Sequence, residues 1–527
     1  MTTDTIDQAA PTTPPASQNH AMSKATRLLS AGTYLDPVYR KTVIRELLTE
    51  DYRVVAPSFG YDAVPVLAHA LAARALWRNR WRAVAVGAVV ILVLMMTGAL
   101  NALLGFLLFC WLLWATNYLR RIATLHTLMT DLRASDPDGG FDGAYPETGK
   151  LSRKLIGKID TEQWSTNGMV FYGGYRPFVG AGESTYSWSN AQLLIGAPEA
   201  PAWPTGALPK QGRPEPVEDP ERPGAGAVPR KPVIRFSTAE LTDYVARQMR
   251  SDLLDGAVGT EKIRTLTVER RRYATAIRSK DRTAGGGWSQ LQVTTEPSGA
   301  HWREDYGAAR EYLCVRIGSW NEELVTSLFV GFDIKGNTLH TEFHSHVLTP
   351  IIASFHLVDR LPAELDSRLM LRVAWDMLKS VPWQLFRLAL WPLFLLLGLG
   401  KYLRDRPANG RRWGRRVERL PQVDTSEFGL GRYTKDAVNC GALSSVREMA
   451  ANGDCHVYFQ DSDAVKYTRV VERRLLHIIG TFLAEHNIDL ADHRRQQTNI
   501  LQQHYGDNIE HSGTGDVNTG DRIHGPN

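Results

Sequence analysis

The chain has 527 residues, enough for roughly two to four domains, and its 43% apolar content is ordinary for a protein with a real core. A net charge of +5 is mild for this length and argues against a dedicated nucleic-acid binder. Cys110, Cys314, Cys440 and Cys455 are far apart without a C-x-x-C pair, which argues against a disulfide framework or zinc ribbon and fits a reducing compartment.

Residues 1–35 open with "MTTDTIDQAAPTTPPASQNH", which has neither the basic nor the apolar region of a signal peptide and reads as a disordered tail. Residues 36–80 read as cytoplasmic helices. "DPVYRKTVIRELLTE" starts with Asp36 as N-cap and Pro37 in the first turn, and "AVPVLAHALAARALW" leads into an apolar run.

That run, Ala83–Ala115, is 33 residues without a charge. One helix of this length would be about 50 Å long, against a hydrocarbon core of roughly 30 Å. Two spans fit if the chain turns near Gly98–Asn101, where glycine and asparagine supply turn chemistry. Arg78, Arg80 and Arg82 precede the run, and Arg120 and Arg121 follow it, so both ends fall on the positive, cytoplasmic side. Trp77 and Trp81 before the run, and Trp111, Trp114 and Tyr118 near its end, put amphipathic rings at one interface. The expectation is a transmembrane helical hairpin over 81–119.

Residues 120–360 read as a cytoplasmic α+β domain with a largely antiparallel sheet and flanking helices. Its strands are "GMVFYGG", "SWSNAQLLIG", "IRTLTVERRRYATA", "REYLCVRIGSW", "LVTSLFVGFDI" and "TLHTEFHSHVL", the last two joined by a "KGN" turn. A Pro-rich insert, 197–232, reads as a disordered loop, and Ser237 with Glu240 forms the capping-box pattern of a following helix. Residues 361–403 hold an amphipathic helix and the apolar block Leu388–Gly400, which is interfacial, re-entrant or a third span. Residues 404–436 form a basic juxtamembrane linker in which Arg411, Arg412, Arg415 and Arg416 face anionic headgroups; nucleic acid is the alternative partner for this run. Residues 437–505 read as helical, with Val465, Val470, Val471, Leu475, Ile478, Ile479 and Leu483 on one buried face, and 506–527 as a Gly/Asn-rich tail.

The standard nucleotide-binding, metalloprotease, hydrolase and calcium-loop signatures are missing from the sequence, so no catalytic residue is assigned and no cofactor is expected. "FVGAGEST" has two glycines of a phosphate loop but no lysine, and reads as a structural turn. His340, Glu342, His344 and His346 alternate to one face of a strand. His344 with His346, helped by His340, are candidate metal ligands; the plainer reading is the polar side of a strand whose Leu339, Phe343 and Val347 face the core. The tail is either disordered or a short self-pairing β-segment.

"YGGYRPFVGAGESTYSWS" (Tyr172–Ser189) resembles a motif of uncharacterised actinobacterial integral membrane proteins, and "FLAEHNIDLADHRRQQTNIL" resembles their C-termini. That resemblance implies a bacterial plasma membrane and no particular chemistry. The final twenty residues are similar to bacterial amyloid-signalling motifs. The combined expectation is a multi-pass plasma-membrane protein, most of it cytoplasmic, that binds or scaffolds partners at the lipid bilayer, with a homo-oligomer as a possible form. A membrane effector assembled through its tail, and a metal-dependent enzyme using the histidine strand, are the alternatives.

Overall fold

The structure, a computed structural model, describes residues 20–50, 53–133, 141–165, 168–199, 230–257, 262–279, 309–362, 365–390, 437–439 and 441–507. A helical base, a projecting hairpin and a six-stranded sheet make up these residues.

The base is built around α1 (Lys24–Leu35), buried along almost its whole length. Ser23 caps it, its Oγ accepting from Thr26 N. This corrects the reading of 1–35 as a tail: only 1–19 lie outside the described residues. Small side chains at Ala25, Ser30, Ala31 and Gly32 let neighbours pack on every side of α1, and the Phe355 ring lies against Gly32. Its buried Arg27 is satisfied by Asp359 Oδ1 at 2.5 Å and Leu132 O at 2.9 Å. Helix α2 (Pro37–Ile44) begins as its sequence predicts, with Asp36 Oδ1 accepting from Val38 N and Pro37 in the first turn.

Helix α3 (Ala63–Met96) is buried in the base from Ala63 to Leu71 and then leaves it; α4 (Ala102–Thr130) returns antiparallel, and α5 (Arg153–Gln163) packs back against α3. The reversal falls where the sequence places it. Gly98 takes φ +74°, open to glycine at no steric cost, and Asn101 caps α4 by accepting from Leu104 N. Both helices are long and apolar enough to cross a membrane, and only 6% and 17% of their most apolar windows are buried. Val86, Val89, Leu92, Leu103, Leu104 and Leu107 all stand exposed.

The sheet runs β1 (Met169–Tyr172), β3 (Leu266–Thr275), β5 (Arg310–Ser319), β6 (Leu324–Lys335), β7 (Thr338–Leu348), β2 (Glu183–Leu193). β1 pairs parallel with β3 and the other pairings are antiparallel, so the sheet is mixed. Gly336 and Asn337, both at positive φ, make the tight turn between β6 and β7 that "KGN" predicts. One face is covered by α6 (Thr238–Arg250), capped by Ser237, and the long α8 (Tyr458–Glu485). Leu241, Val245, Leu475 and Phe482 pack there on Val315, Leu328 and Phe343.

Three expectations need correction. Residues 437–439 and 441–453 hold no α-helix: β8 (Ala437–Asn439) pairs with β4 (Ile277–Ser279), Ala442 bridges Tyr172 at the sheet edge, and Glu448–Ala450 make one 3-10 turn before α8 begins. Val470 is 40% exposed, one residue and about 100° round the helix from buried Val471; Ala464 and Thr468 take the stripe instead. The stretch 437–505 that reads as helical is also broken after α8: a separate helix, α9 (Ala491–Asp507), follows a break at Asn487 with φ +60°. Helix α7 (Ser367–Ala389) lies along α4, with Trp114 Nε1 donating to Ala374 O at 3.0 Å and Arg80 to Gln384 Oε1 at 2.5 Å. Most of the block Leu388–Gly400, the linker with Arg411, Arg412, Arg415 and Arg416, the Pro-rich insert and the tail lie outside the described residues.

Candidate functional site

The sheet face opposite α6 and α8 is aromatic, because the strand alternation there places Tyr273, Tyr312, Phe329, His344 and His346 on one side. The glycine-rich loop between β1 and β2 folds down onto this face. Its Phe178 stacks on Phe329 at 4.0 Å between ring centroids and meets Tyr273 and Tyr312 edge-on at 5.2 and 5.1 Å. Residues 443–453 form the facing wall. Between loop, sheet and wall is an open cleft of 1610 Å³.

The loop is held by a carboxylate. Glu448 Oε1 accepts from the backbone N–H of Gly180 at 2.7 Å and of Gly182 at 3.1 Å, while its Oε2 accepts from Ser445 N at 2.8 Å. The backbone donors that a phosphate loop would turn towards an anion are therefore committed to an internal one. "FVGAGEST" is a structural turn.

On the floor, Glu342 is the hub. Tyr312 donates its hydroxyl to Glu342 Oε2 at 2.8 Å, His344 Nε2 lies 3.7 Å from the same oxygen, and His340 Nε2 is 3.4 Å from Oε1. Gly331, opposite Glu342 on β6, puts no side chain between the tyrosine and the carboxylate. Burial would raise the Glu342 pKa, but the bonds from His344, Tyr312 and His340 outweigh it and hold it down at about 2. Burial, then the charges of His344 and Arg176, push His346 down to about 4, so it is neutral at pH 7. Cys314, under the aromatic layer, is pushed up to about 11 by burial and is an inert thiol.

These shifts set a pH dependence. His346 titrates near 6.5 when unfolded and near 4 when folded, so the unfolded chain takes up its proton first. Its contribution to stability is complete above about pH 6.5 and is lost as pH falls towards 4. His346→Gln is expected to flatten the urea-unfolding free energy between those values, and an unchanged slope would contradict the assignment.

The structure carries the expected histidines on one face of β7, with Leu339 and Phe343 in the core. Their cross-strand neighbours are Phe329 and Ser187 for His344 and Ser327 and Ser184 for His346, so adjacent strands bring no third ligand. Among the described residues no three His, Cys, Asp or Glu side chains are disposed to hold a metal ion. The face is the floor of a cleft rather than a solvated side. Tyr175, Arg176, Phe178, Tyr273 and Tyr312 were not singled out from the sequence, although the "YGGYRPF" motif carries three of them. Arg271, one of three consecutive arginines in the strand "IRTLTVERRRYATA", is buried: it makes two bonds to Glu269 Oε2, at 3.1 and 2.8 Å, and covers the Phe59 ring.

No curated protein and no solved structure matches this chain. The sequence model of the AbeC-like domain matches residues 187–520, from within β2 to the tail, leaving helices α1 to α5, the hairpin among them, and the glycine-rich loop ahead of the matched region. With that match running over more than half its length and taking in the floor and facing wall of the cleft, the chain belongs to the AbeC-like domain family.

Proposed function

We propose that the protein is a membrane-anchored binding protein: the α3–α4 hairpin enters a bilayer and returns to the same side, and the cleft receives a ligand on the aqueous side. The observation that carries the anchor is the exposure of the hairpin. Apolar side chains stand uncovered on both arms between Val86 and Trp111, an area far beyond what water-soluble monomers tolerate. The arms Ala83–Met96 and Ala102–Ala115 are each about 21 Å long by helical rise, so flanking arginines that snorkel, or a thinned bilayer, make up the difference from 30 Å. Trp77 packs against Trp81, and Trp114 stacks on Tyr118, at the foot of the hairpin where an interfacial belt belongs.

Helix α7 extends this surface. Leu371, Trp375, Leu378, Trp383 and Phe386 are exposed along it, interleaved with Arg368, Arg372, Lys379 and Arg387. Such a helix, docked on α4, suits the headgroup boundary. The basic flanks favour a body on the cytoplasmic side of a plasma membrane.

Leu92 and Leu107 touch water in the protein alone, so a soluble protein would accept charges there. In a bilayer each charge costs about 3 kcal/mol near the centre. The wild-type chain is expected to stay with membranes through an alkaline carbonate wash, and the Leu92→Glu/Leu107→Glu double variant to be released. A wild-type protein recovered as a detergent-free monomer would overturn the reading.

A further inference from the structure

We infer that the cleft is a site for a nucleoside phosphate, a ligand with a stackable ring and a phosphate; this deepens the reading of the cleft as a binding site. Tyr175 is 98% exposed, yet its loop is fixed on both sides. Gly173 N donates to Ala442 O at 2.8 Å before it, and Phe178 is locked into the aromatic layer after it. A ring held on a fixed loop at the cleft mouth, with neither face covered by a described residue, is a stacking platform.

The next residue, Arg176, is exposed and lines the same cleft, and Arg310 lines it from β5 beside Tyr312. A guanidinium suits phosphate by its planar fork of donors. The lining carboxylates do not cancel this. Glu342 is engaged by Tyr312, His340 and His344, and Glu448 by three backbone N–H groups, leaving Glu183 exposed at the start of β2. Deeper in, Nδ1 of His346 is buried without a hydrogen-bond partner among the described residues, a position for one polar group of the ligand. The cleft, at 1610 Å³, exceeds the roughly 300–1,000 Å³ of typical small-molecule sites, so it has room for up to a dinucleotide.

The test is titration calorimetry of the full-length protein in detergent micelles with AMP, GMP, ADP, GDP, inorganic pyrophosphate and adenosine. At least one nucleotide is expected to bind saturably and more tightly than pyrophosphate or adenosine. Arg176→Ala and Tyr175→Ala alter exposed side chains and leave the fold intact, which the thermal melt checks. Each is expected to weaken the nucleotide about tenfold or more. Tyr175→Ala should leave any pyrophosphate binding unchanged. No binding of any nucleotide at millimolar concentration, pyrophosphate binding as tight as the nucleotide, or nucleotide affinity indifferent to both substitutions would each overturn the proposal. Membrane retention is read separately, so a chain that stays in washed membranes but binds none of these probes keeps its anchor and loses this ligand.

Discussion

Arg447→Met is expected to destabilise the protein by about 3–5 kcal/mol, the cost typical of breaking a buried charge pair by removing one partner. Arg447 is fully buried; burial lowers its pKa to about 10, so it remains charged at pH 7. It donates through Nη1 to Phe59 O in the base and through Nη2 to Glu322 O in the β5–β6 turn. Both carbonyls would lose a charged donor, and the Glu322 carboxylate, paired with His20 Nδ1 at 3.3 Å, would lose one of the cations that, with His20 and Arg316, hold its pKa down. The turn itself is under strain. Trp320, Asn321 and Glu322 follow one another at φ +54°, +55° and +63°, a left-handed run that non-glycine residues avoid. It is held from several sides, by Arg447, by Trp320 Nε1 bonding Asp463 Oδ2 at 3.1 Å, and by Glu323 meeting Lys24 Nζ at 2.5 Å. Because Arg447 precedes Glu448, the damage reaches the glycine-rich loop and the cleft. Arg447→Lys should recover only part of the loss, since an ammonium lacks the fork that reaches two carbonyls. Chemical unfolding in micelles measures both; a loss below about 1 kcal/mol for methionine would mean that the base and sheet are not joined through this residue.

Local chemistry in this chain was legible and long-range placement was not. The reversal at Gly98–Asn101, the Asp36–Pro37 helix start and the Gly336–Asn337 turn each follow from residues adjacent in sequence. Strand alternation likewise gave β7 its two faces. It could not say that the polar face floors a cleft, because the lid comes from Tyr172–Ser184 and the wall from Leu443–Gly453, brought in by folding alone. Helix α1 was missed for a related reason. A helix packed on every side by small residues lacks the one-sided stripe that announces an amphipathic helix, and its Arg27 looks like a surface residue until Asp359 arrives from the far end of the body. Arg271 shows the same limit, its burial set by Phe59 overhead and Glu269 alongside.

Gly182→Ala should be the most damaging single-methyl addition in the loop, costing about 3 kcal/mol or more, with Gly174→Ala nearer 1 kcal/mol. Both glycines have positive φ, +89° and +75°, so both substitutions meet backbone strain. Space separates them. A Cβ on Gly174 would come no closer than 3.8 Å to the Leu443 side chain, an ordinary contact. A Cβ on Gly182 would collide with the carbonyl of Val347, a backbone atom in the β7 strand that cannot swing aside. Relief requires moving Gly182 away from β7, and its N–H then leaves Glu448 Oε1. Glu448 keeps Gly180 and Ser445 as donors but loses the bond that holds the loop at the start of β2, so Phe178 lifts from Phe329. Stability and cleft occupancy should therefore fall together in Gly182→Ala, while Gly174→Ala loses a little stability and keeps the aromatic layer. The difference in near-ultraviolet circular dichroism between each variant and the wild type reads the loss of packing in the layer of Phe178, Tyr273 and Tyr312. If the two variants lose that signal equally, the loop is held by its general conformation and not by the close passage of Gly182 over β7.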